Sequence, residues 1–420
     1  MSSSATNTQK KETKEQIEFR AHCQTWLKDN TPAIPDFRMP KIGIEIMTQE
    51  QIDYCAAWNK AAYEAGLIGC DYPVEFGGGG KEGCQAIANF EMKRAKTPIL
   101  HNPIGLGMGA PTVFYHGSDA LKKQLLPKLF SGEEVWCQGF SEPGTGSDLA
   151  SAQTFAEKKG AKWIINGHKV WTSCAHYASW MILLARTDKK EKHDGLSYFV
   201  VPIKSALGKG VTVRPLIKIT GETGFNEVIF ENLEIDDFYR LDEVGAGWKV
   251  AMTTLAHERG AGVFVTPESG GQARKGDDAL EPNITREHPL VSLAKNCIRN
   301  GKPVYEDPIM ADKIMQAVIR ATGIKQQRRI RRVKGLVENP ERYALQDKLI
   351  GSAYVQDMSE LALELEGAKS TLYVGDDKAP DGGKWPLEFM SSFGLTIAGG
   401  TNEIQKNILG ERVLGLPKTK

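Results

Sequence analysis

The apolar residues of this chain change their period twice. From about Thr13 to Glu134, and again from Gly247 to the end, they recur at helical spacing, while between Val135 and about Ile235 they recur at every second position. A spacing near 3.6 gathers the apolar side chains of a helix on one stripe, and alternation gathers those of a strand on one face. The chain therefore reads as α+β in three parts: an N-terminal helical domain over 1–134, a middle β domain over 135–240 and a C-terminal helical bundle over 241–420. With 420 residues, 41% of them hydrophobic, there is ample core material for such a division.

Within the first part, Lys14 to Leu27 places Ile17, Phe19, Cys23 and Leu27 on one stripe. Thr48-Gln49-Glu50-Gln51 has the form of a capping box before a helix over Ile52 to Ala65. Tyr72 to Phe76 followed by Gly77 to Gly80 reads as a flexible connector, with a close approach of backbone to a ligand or a neighbouring domain as the alternative. Glu82 to Arg94 and Ala120 to Phe130 are further helices, and the small residues between Ile104 and Gly109 suit close packing. In the middle part, Asn166-Gly167 between two apolar runs signals a hairpin. Trp180 to Ala185, Leu196 to Ile203, Val211 to Leu216 and Glu227 to Phe230 are strand candidates, and short strands at such intervals suggest a compact antiparallel barrel or sandwich. The last part offers helices over Trp248 to Phe264, Pro308 to Val337, Pro340 to Leu372 and Thr401 to Val413, the last capped by Thr401. Glu268 to Ile284 is a Gly- and charge-rich interruption, and Val374 to Lys384 a polar loop. Tandem long helices suit a four-helix bundle, which often also supplies a dimer or tetramer surface.

Composition excludes several classes. Against 53 basic residues stand 52 acidic ones, so no global field points to nucleic acid or an anionic membrane. The basic run Lys325 to Lys334 is local, lacks interleaved aromatics and reads as a solvated helix face. Seven cysteines with no CxxC pair suggest reduced thiols and a cytoplasmic location. Met1 to Glu12 is Ser/Thr/Lys-rich without an apolar core, so it is expected to be disordered and is not a secretory signal. No apolar run approaches the ~20 residues of a membrane span. The eight histidines form no HExxH or HxxxH set, so no metal is expected.

Two stretches carry the chemistry: Ser141-Glu142-Pro143-Gly144-Thr145-Gly146-Ser147-Asp148, and Lys169-Val170-Trp171-Thr172-Ser173 at the end of a strand. Two hydroxyl-bearing segments beside strands can grip the rim of a flat polar ring, and an aromatic face can stack on it. A flavin fits that description. Gly, Pro, Ser and Asp are also what surface turns are made of, so the first stretch alone leaves both readings open.

With Phe140 in front of it, the first stretch resembles a signature of the acyl-CoA dehydrogenase family. Ile164 to Ser173 is similar to the family's second signature, and Gly399-Gly400-Thr401-Asn402-Glu403-Ile404-Gln405 with Glu411 to Gly415 to its C-terminal one. Three matches in order, over nearly the whole chain, select the flavin over the plain turn. The resemblance implies an N-terminal helical domain, a middle antiparallel β-barrel and a C-terminal four-helix bundle. It implies FAD as cofactor, an acyl-CoA substrate, an electron-transfer flavoprotein as acceptor, and a homo-oligomer, with a homotetramer expected. The implied reaction is α,β-desaturation, in which a base takes the α-proton and the β-hydride leaves to flavin N5. By resemblance, Phe140, Ser141, Trp171, Thr172, Ser173, Thr401 and Glu403 contact FAD, and Ser147 and Gly399 contact the substrate. Glu142 and Asp148 belong to the turn's own framework.

The base is displaced. Many members carry a glutamate directly before the C-terminal Gly-Thr, whereas this chain has Ala398-Gly399-Gly400-Thr401, and glycine takes no proton. The isovaleryl and long-chain branches place a glutamate before an arginine on the helix after the barrel, where this chain has Glu258-Arg259. Glu258 is therefore the expected base and Arg259 its neighbour in positioning substrate or charge. An exposed helix pair is the bland alternative. The relocated base suits a branched, cyclic or otherwise bulky acyl group. Two family segments that reach FAD across a subunit interface, Arg-x-x-Phe-Gly and Gln-x-x-Gly-Gly-x-Gly, are absent. Asn300 to Pro308 and Leu365 to Ala368 stand in their places. Two alternatives share the fold: an oxidase, monooxygenase or desulfinase, and a non-catalytic partner subunit of a heteromeric dehydrogenase.

Overall fold

A computed structural model describes residues 12–40, 43–258, 287–330 and 340–418. The expectations for the first eleven residues, for Arg259, for the helix beyond it to Phe264, for the Glu268 to Ile284 interruption and for Arg331 to Lys334 fall outside those residues. The chain divides into two compact units, one formed by 1–218 with 222–280 and the other by 219–221 with 281–420.

The first unit opens with five helices: α1 (Lys14–Asn30), α2 (Gln49–Glu64), α3 (Cys84–Ala95), α4 (Ala110–His116) and α5 (Asp119–Ser131). Thr48 caps α2 through the expected capping box with Gln51, and Thr13 caps α1 through a second one with Gln16. Each box satisfies two of the amides that a helix N-terminus leaves without partners. Phe19, Cys23 and Leu27 of α1 are buried as the stripe requires, while Ile17 is exposed.

The glycine run 77–80 is not a flexible connector. Gly77 N donates to Val74 O, Gly78 N to Pro73 O, Gly79 N to Gly69 O and Gly80 N to Tyr72 O, all at 2.8–3.1 Å. A Cβ on Gly78 would strike Tyr72, and one on Gly77 would strike Pro127 of α5. The glycines are there because the backbone folds onto itself. Between α3 and α4, Gly105–Gly109 forms a π-helical turn, and Cβ atoms there would meet Asn102 and Trp136. This is the close packing expected of the segment.

The middle of the unit is one sheet built from β1 (Trp136–Gly139), β2 (Phe155–Lys159), β3 (Lys162–Ser173), β4 (Trp180–Arg186), β5 (Leu196–Pro202), β6 (Val211–Leu216), β7 (Phe225–Asp236) and β8 (Arg240–Leu241). Its order is β6-β7-β3-β2-β4-β5-β8, with β1 parallel to β4 and the long pairings antiparallel. Short α6 (Ile203–Ala206) follows β5. Alternation works on both faces of β4. Met181, Leu183 and Ala185 join the core of the β layer, whereas Ile182 and Leu184 join the core shared with the helices.

The hairpin expected at Asn166-Gly167 is not there. β3 runs through both residues as one strand, and its turn to β2 lies at Gly160. Gly167 is required because Thr154 packs against its Cα. Asn166 Oδ1 accepts from Asn232 N at 2.8 Å, where β7 carries an extra residue in left-handed conformation. A bulge on the partner strand has used a dipeptide that is elsewhere a turn. After β8, α7 (Gly247–Glu258) docks on β5. Gly247 lies so close to Ser197 that a Cβ would collide with its backbone.

The second unit holds α8 (Pro289–Asn296), the ribbon β9 (Ile298–Arg299) and β10 (Lys302–Pro303), α9 (Pro308–Ile330), α10 (Pro340–Glu366), α11 (Lys384–Leu395) and α12 (Asn402–Ile408). Leu290, Leu293, Val304, Ile314, Leu365 and Trp385 are among the side chains of its core. Helix α11 lies where no helix was expected. Its Phe389 and Phe393, one turn apart, pack edge to face at 5.3 Å. Among the described residues, no helix is long and apolar enough to cross a membrane.

Candidate functional site

The two signature stretches of the first unit are tied by a buried ion pair. Trp163, Ile165 and Lys169 of β3 are all buried, Lys169 completely. A lysine there needs a partner. Lys169 Nζ donates to Glu142 Oε1 at 2.8 Å and to Phe140 O at 2.9 Å. Glu142 also accepts from Gln153 N at 2.7 Å and Thr154 N at 2.8 Å. Burial alone would raise the Glu142 carboxyl, but Lys169 and the two amides hold it below its ordinary value. Total burial pulls Lys169 down to about 8 against the attraction of Glu142. We take the pair as ionised at neutral pH, because the carboxylate has three donors and the ammonium two acceptors.

This pair fixes the rim. Val170 N donates to Ser141 O at 2.9 Å, and Glu142 and Thr145 exchange both backbone hydrogen bonds. Much of the 140–143 backbone is therefore engaged within the turn, and Ser141 offers a hydroxyl with no partner among the described residues. One extra residue on β3 between Lys169 and Thr172 makes a bulge. The bulge holds Trp171 at φ 58° with its indole 61% exposed and edge-on to Phe225 at 6.1 Å. A non-glycine residue in that conformation costs on the order of 1 kcal/mol and persists only where its surroundings enforce it. Thr172 and Ser173, by contrast, are buried, and Thr172 Oγ1 has no partner among the described residues. Ser147 is exposed beside Asp148, whose carboxylate takes Lys192 Nζ at 2.9 Å. A cleft of ≈ 430 Å³ opens along the turn, lined by Pro143, Gly144, Thr154 and His168 among others.

Glu258 ends α7 with an exposed side chain. The helix is held along its length by α4 and β5. Thr112 Oγ1 meets Thr254 Oγ1 at 2.8 Å, and Tyr198 Oη meets the same Thr254 oxygen at 2.9 Å. His116 Nε2 reaches Thr253 Oγ1 at 2.8 Å and His116 Nδ1 reaches Asp242 Oδ2 at 3.1 Å. Tyr115 stacks on His257 at 6.1 Å. Phe140 stands edge-on to Tyr198 at 5.9 Å. The rim segment, β5 and the turn before Glu258 are thus consecutive links of one packed chain. Burial, opposed by Thr254 and reinforced by the charge of Glu258, raises the Tyr198 phenol, which stays protonated.

In the second unit, Gly399 and Gly400 both have positive φ, 66° and 91°. They lead into Thr401, whose hydroxyl caps α12 by accepting from Ile404 N at 3.2 Å. Gln405 Nε2 donates to Gly399 O at 2.8 Å. Lys348 Nζ donates to Asn402 Oδ1 at 2.7 Å and fastens α12 to α10. Glu403 is exposed on the first turn. At the place of the absent Arg-x-x-Phe-Gly segment, Asn300 and Gly301 turn the β9–β10 ribbon, both at positive φ.

Lys169 lies in the second signature stretch without a role assigned from sequence, and Tyr198 and Thr254 lie outside every motif. A lysine among the buried apolar positions of β3 was a legible signal. Tyr198 and Thr254 gave none, since each reads as ordinary core.

Known proteins match most of the chain. The acyl-CoA dehydrogenase N-terminal domain matches residues 13–133, the middle domain 137–237 and the C-terminal domain 287–414. The acyl-CoA dehydrogenase IpdE1 of Mycolicibacterium smegmatis is 37% identical over 416 residues, covering 96% of this chain and 98% of the relative. Among solved structures, the Tcur3481-Tcur3483 steroid ACAD aligns with a TM-score of 0.71 at 23% identity, over 98% of this chain and 100% of its own. The ChsE4-ChsE5 complex from Mycobacterium tuberculosis aligns with a TM-score of 0.69 at 24% identity, over 98% and 100%.

Proposed function

Since the chain belongs to the acyl-CoA dehydrogenase family, a family of FAD-dependent flavoproteins, we propose that it desaturates an acyl-CoA thioester between Cα and Cβ with Glu258 as the base. The observation that supports this reading is the packed sequence Phe140, Tyr198, Thr254, which brings the helix ending at Glu258 against the rim segment.

The residues present fit a flavin. Thr172 Oγ1 is a buried polar atom with no partner among the described residues, and an unpaired buried hydroxyl is costly unless a ligand meets it. Ser141, Thr172 and Ser173 would hold the ring edge, and Trp171, held outward by its bulge, would cover its face. Thr401 and Glu403 keep the FAD role, and Ser147 and Gly399 the substrate role, that their motifs imply. FAD, when bound, supplies the acceptor for the β-hydride. Glu258 takes the α-proton from its place at the end of α7. Arg259 steadies the substrate beside it. A base carried on α7, as in the family branches whose motif it matches, favours a branched or cyclic acyl group. An electron-transfer flavoprotein reoxidises the enzyme.

Glu258→Gln should retain its flavin and lose bleaching by every thioester of a panel running from short straight to cyclic acyl chains. Bleaching at the wild-type rate in that variant would sink the assignment. Peroxide release without an added acceptor would favour the oxidase alternative.

A second reading concerns assembly. The absence of both segments that reach FAD across an interface favours a heteromer in which another chain supplies those contacts. Flavin retention should then rise on co-purification with that chain. A homo-oligomer holding one FAD per chain would overturn it.

A further inference from the structure

We infer that Tyr198 is a positioning residue for the base, acting through a chain of three buried hydroxyls. The inference rests on the reading that Glu258 is that base. Tyr198, Thr254 and Thr112 are each fully buried, and they come from β5, α7 and α4. Their oxygens are linked at 2.9 Å and 2.8 Å, with Thr254 at the junction, 3.3 Å from Val250 O. Three hydroxyls provide three protons, and a junction oxygen within reach of three neighbours leaves few ways to orient them. Such a chain is rigid in direction as well as in place.

Thr254 and Glu258 are four residues apart on one helix, so they lie on the same face one turn from each other. The turn bearing Glu258 is therefore anchored at its start by a tyrosine that also touches the rim through Phe140. The negative charge of Glu258 acts on the Tyr198 phenol, as expected of two groups on the same side of α7. Tyr198 thus fixes the turn that bears the carboxylate relative to the rim. Among the described residues, the titratable groups around this end of α7 include Tyr115 and His116 of α4 and His257 of α7 itself, with Asp242 on His116 and Lys249 on Asp242.

The test is the rate of flavin bleaching against thioester concentration in the full-length flavin-loaded protein, using the best thioester of the panel. Tyr198→Phe keeps the ring and its packing on Phe140 and removes only the oxygen. Bleaching at saturating thioester should be about tenfold slower while the half-saturating concentration stays unchanged, because the base is misplaced and the binding surface is not. Thr254→Val should show the same split and decides the matter if Tyr198→Phe does not fold. An unchanged saturating rate, a raised half-saturating concentration with a normal saturating rate, or loss of flavin in both variants would overturn the proposal. Normal bleaching in Glu258→Gln would instead remove the base reading beneath it, so the two failures are distinguishable.

Discussion

Two buried glutamates show how little burial by itself decides. Glu142, in the first unit, accepts from Lys169 and from two backbone amides, and its carboxyl lies below its ordinary value. Glu366, at the end of α10 in the second unit, is 7% exposed, and neither oxygen has a partner among the described residues. Burial first, and then the charge of Asp381, push it up to about 7. Both side chains left water. One met donors where it arrived and the other met an apolar core. The difference lies in the neighbours, because a carboxylate keeps its charge inside a protein only where hydrogen bonds replace its hydration.

Removing the donors should break the contrast most severely. Lys169→Met leaves Glu142 buried beside an apolar stem, and such half-broken pairs cost about 3–5 kcal/mol. Urea unfolding at pH 7 should show a loss of that size, and the flavin should dissociate more readily because both rim segments lose their tie. Glu142→Gln leaves Lys169 buried without its counter-charge and turns an amide NH2 toward a backbone N–H, so it too should cost about 3 kcal/mol.

The same change at Glu366 should act in the opposite direction. A carboxyl whose folded value is about 7 and whose unfolded value is ordinary contributes nothing adverse at low pH, where both states are protonated. As pH rises, the unfolded chain releases the proton first, so stability falls until the folded value is passed. Glu366→Gln should therefore match the wild type near pH 4.5 and exceed it by about 1–2 kcal/mol at pH 8, the gain kept modest by the amide's own unmet hydrogen bonds. For Glu142 the sign reverses. Its depressed value supports the fold above the ordinary carboxylate range, and the support is lost as pH falls below it. Parallel pH series of the two glutamine variants would sharpen the comparison, and slopes of the same sign would end it.

Much of the architecture was legible before any coordinates. The shift from helical to alternating period located the sheet, and Thr48 announced α2 through chemistry confined to four residues. Errors arose where a local signal met a distant neighbour. Asn166-Gly167 has the composition of a hairpin turn, but Thr154 and the bulge at Asn232 claim those residues for a continuous strand. The glycine run 77–80 has the composition of a flexible linker, but contacts with Tyr72 and Pro127 make it a fitted one.

The sequence by itself determined the order of the parts, the family to which they belong and the positions whose chemistry could matter, because periods, caps and motifs are encoded within a few residues. Only the tertiary structure decided which charges survive burial and which side chains meet. Lys169 finds Glu142 across 27 residues and Tyr198 finds Thr254 across 56. Neither side chain carries a mark of its partner. Their meeting follows from the pairing of strands and the docking of α7 on β5, and the ionisation of each group follows from the meeting.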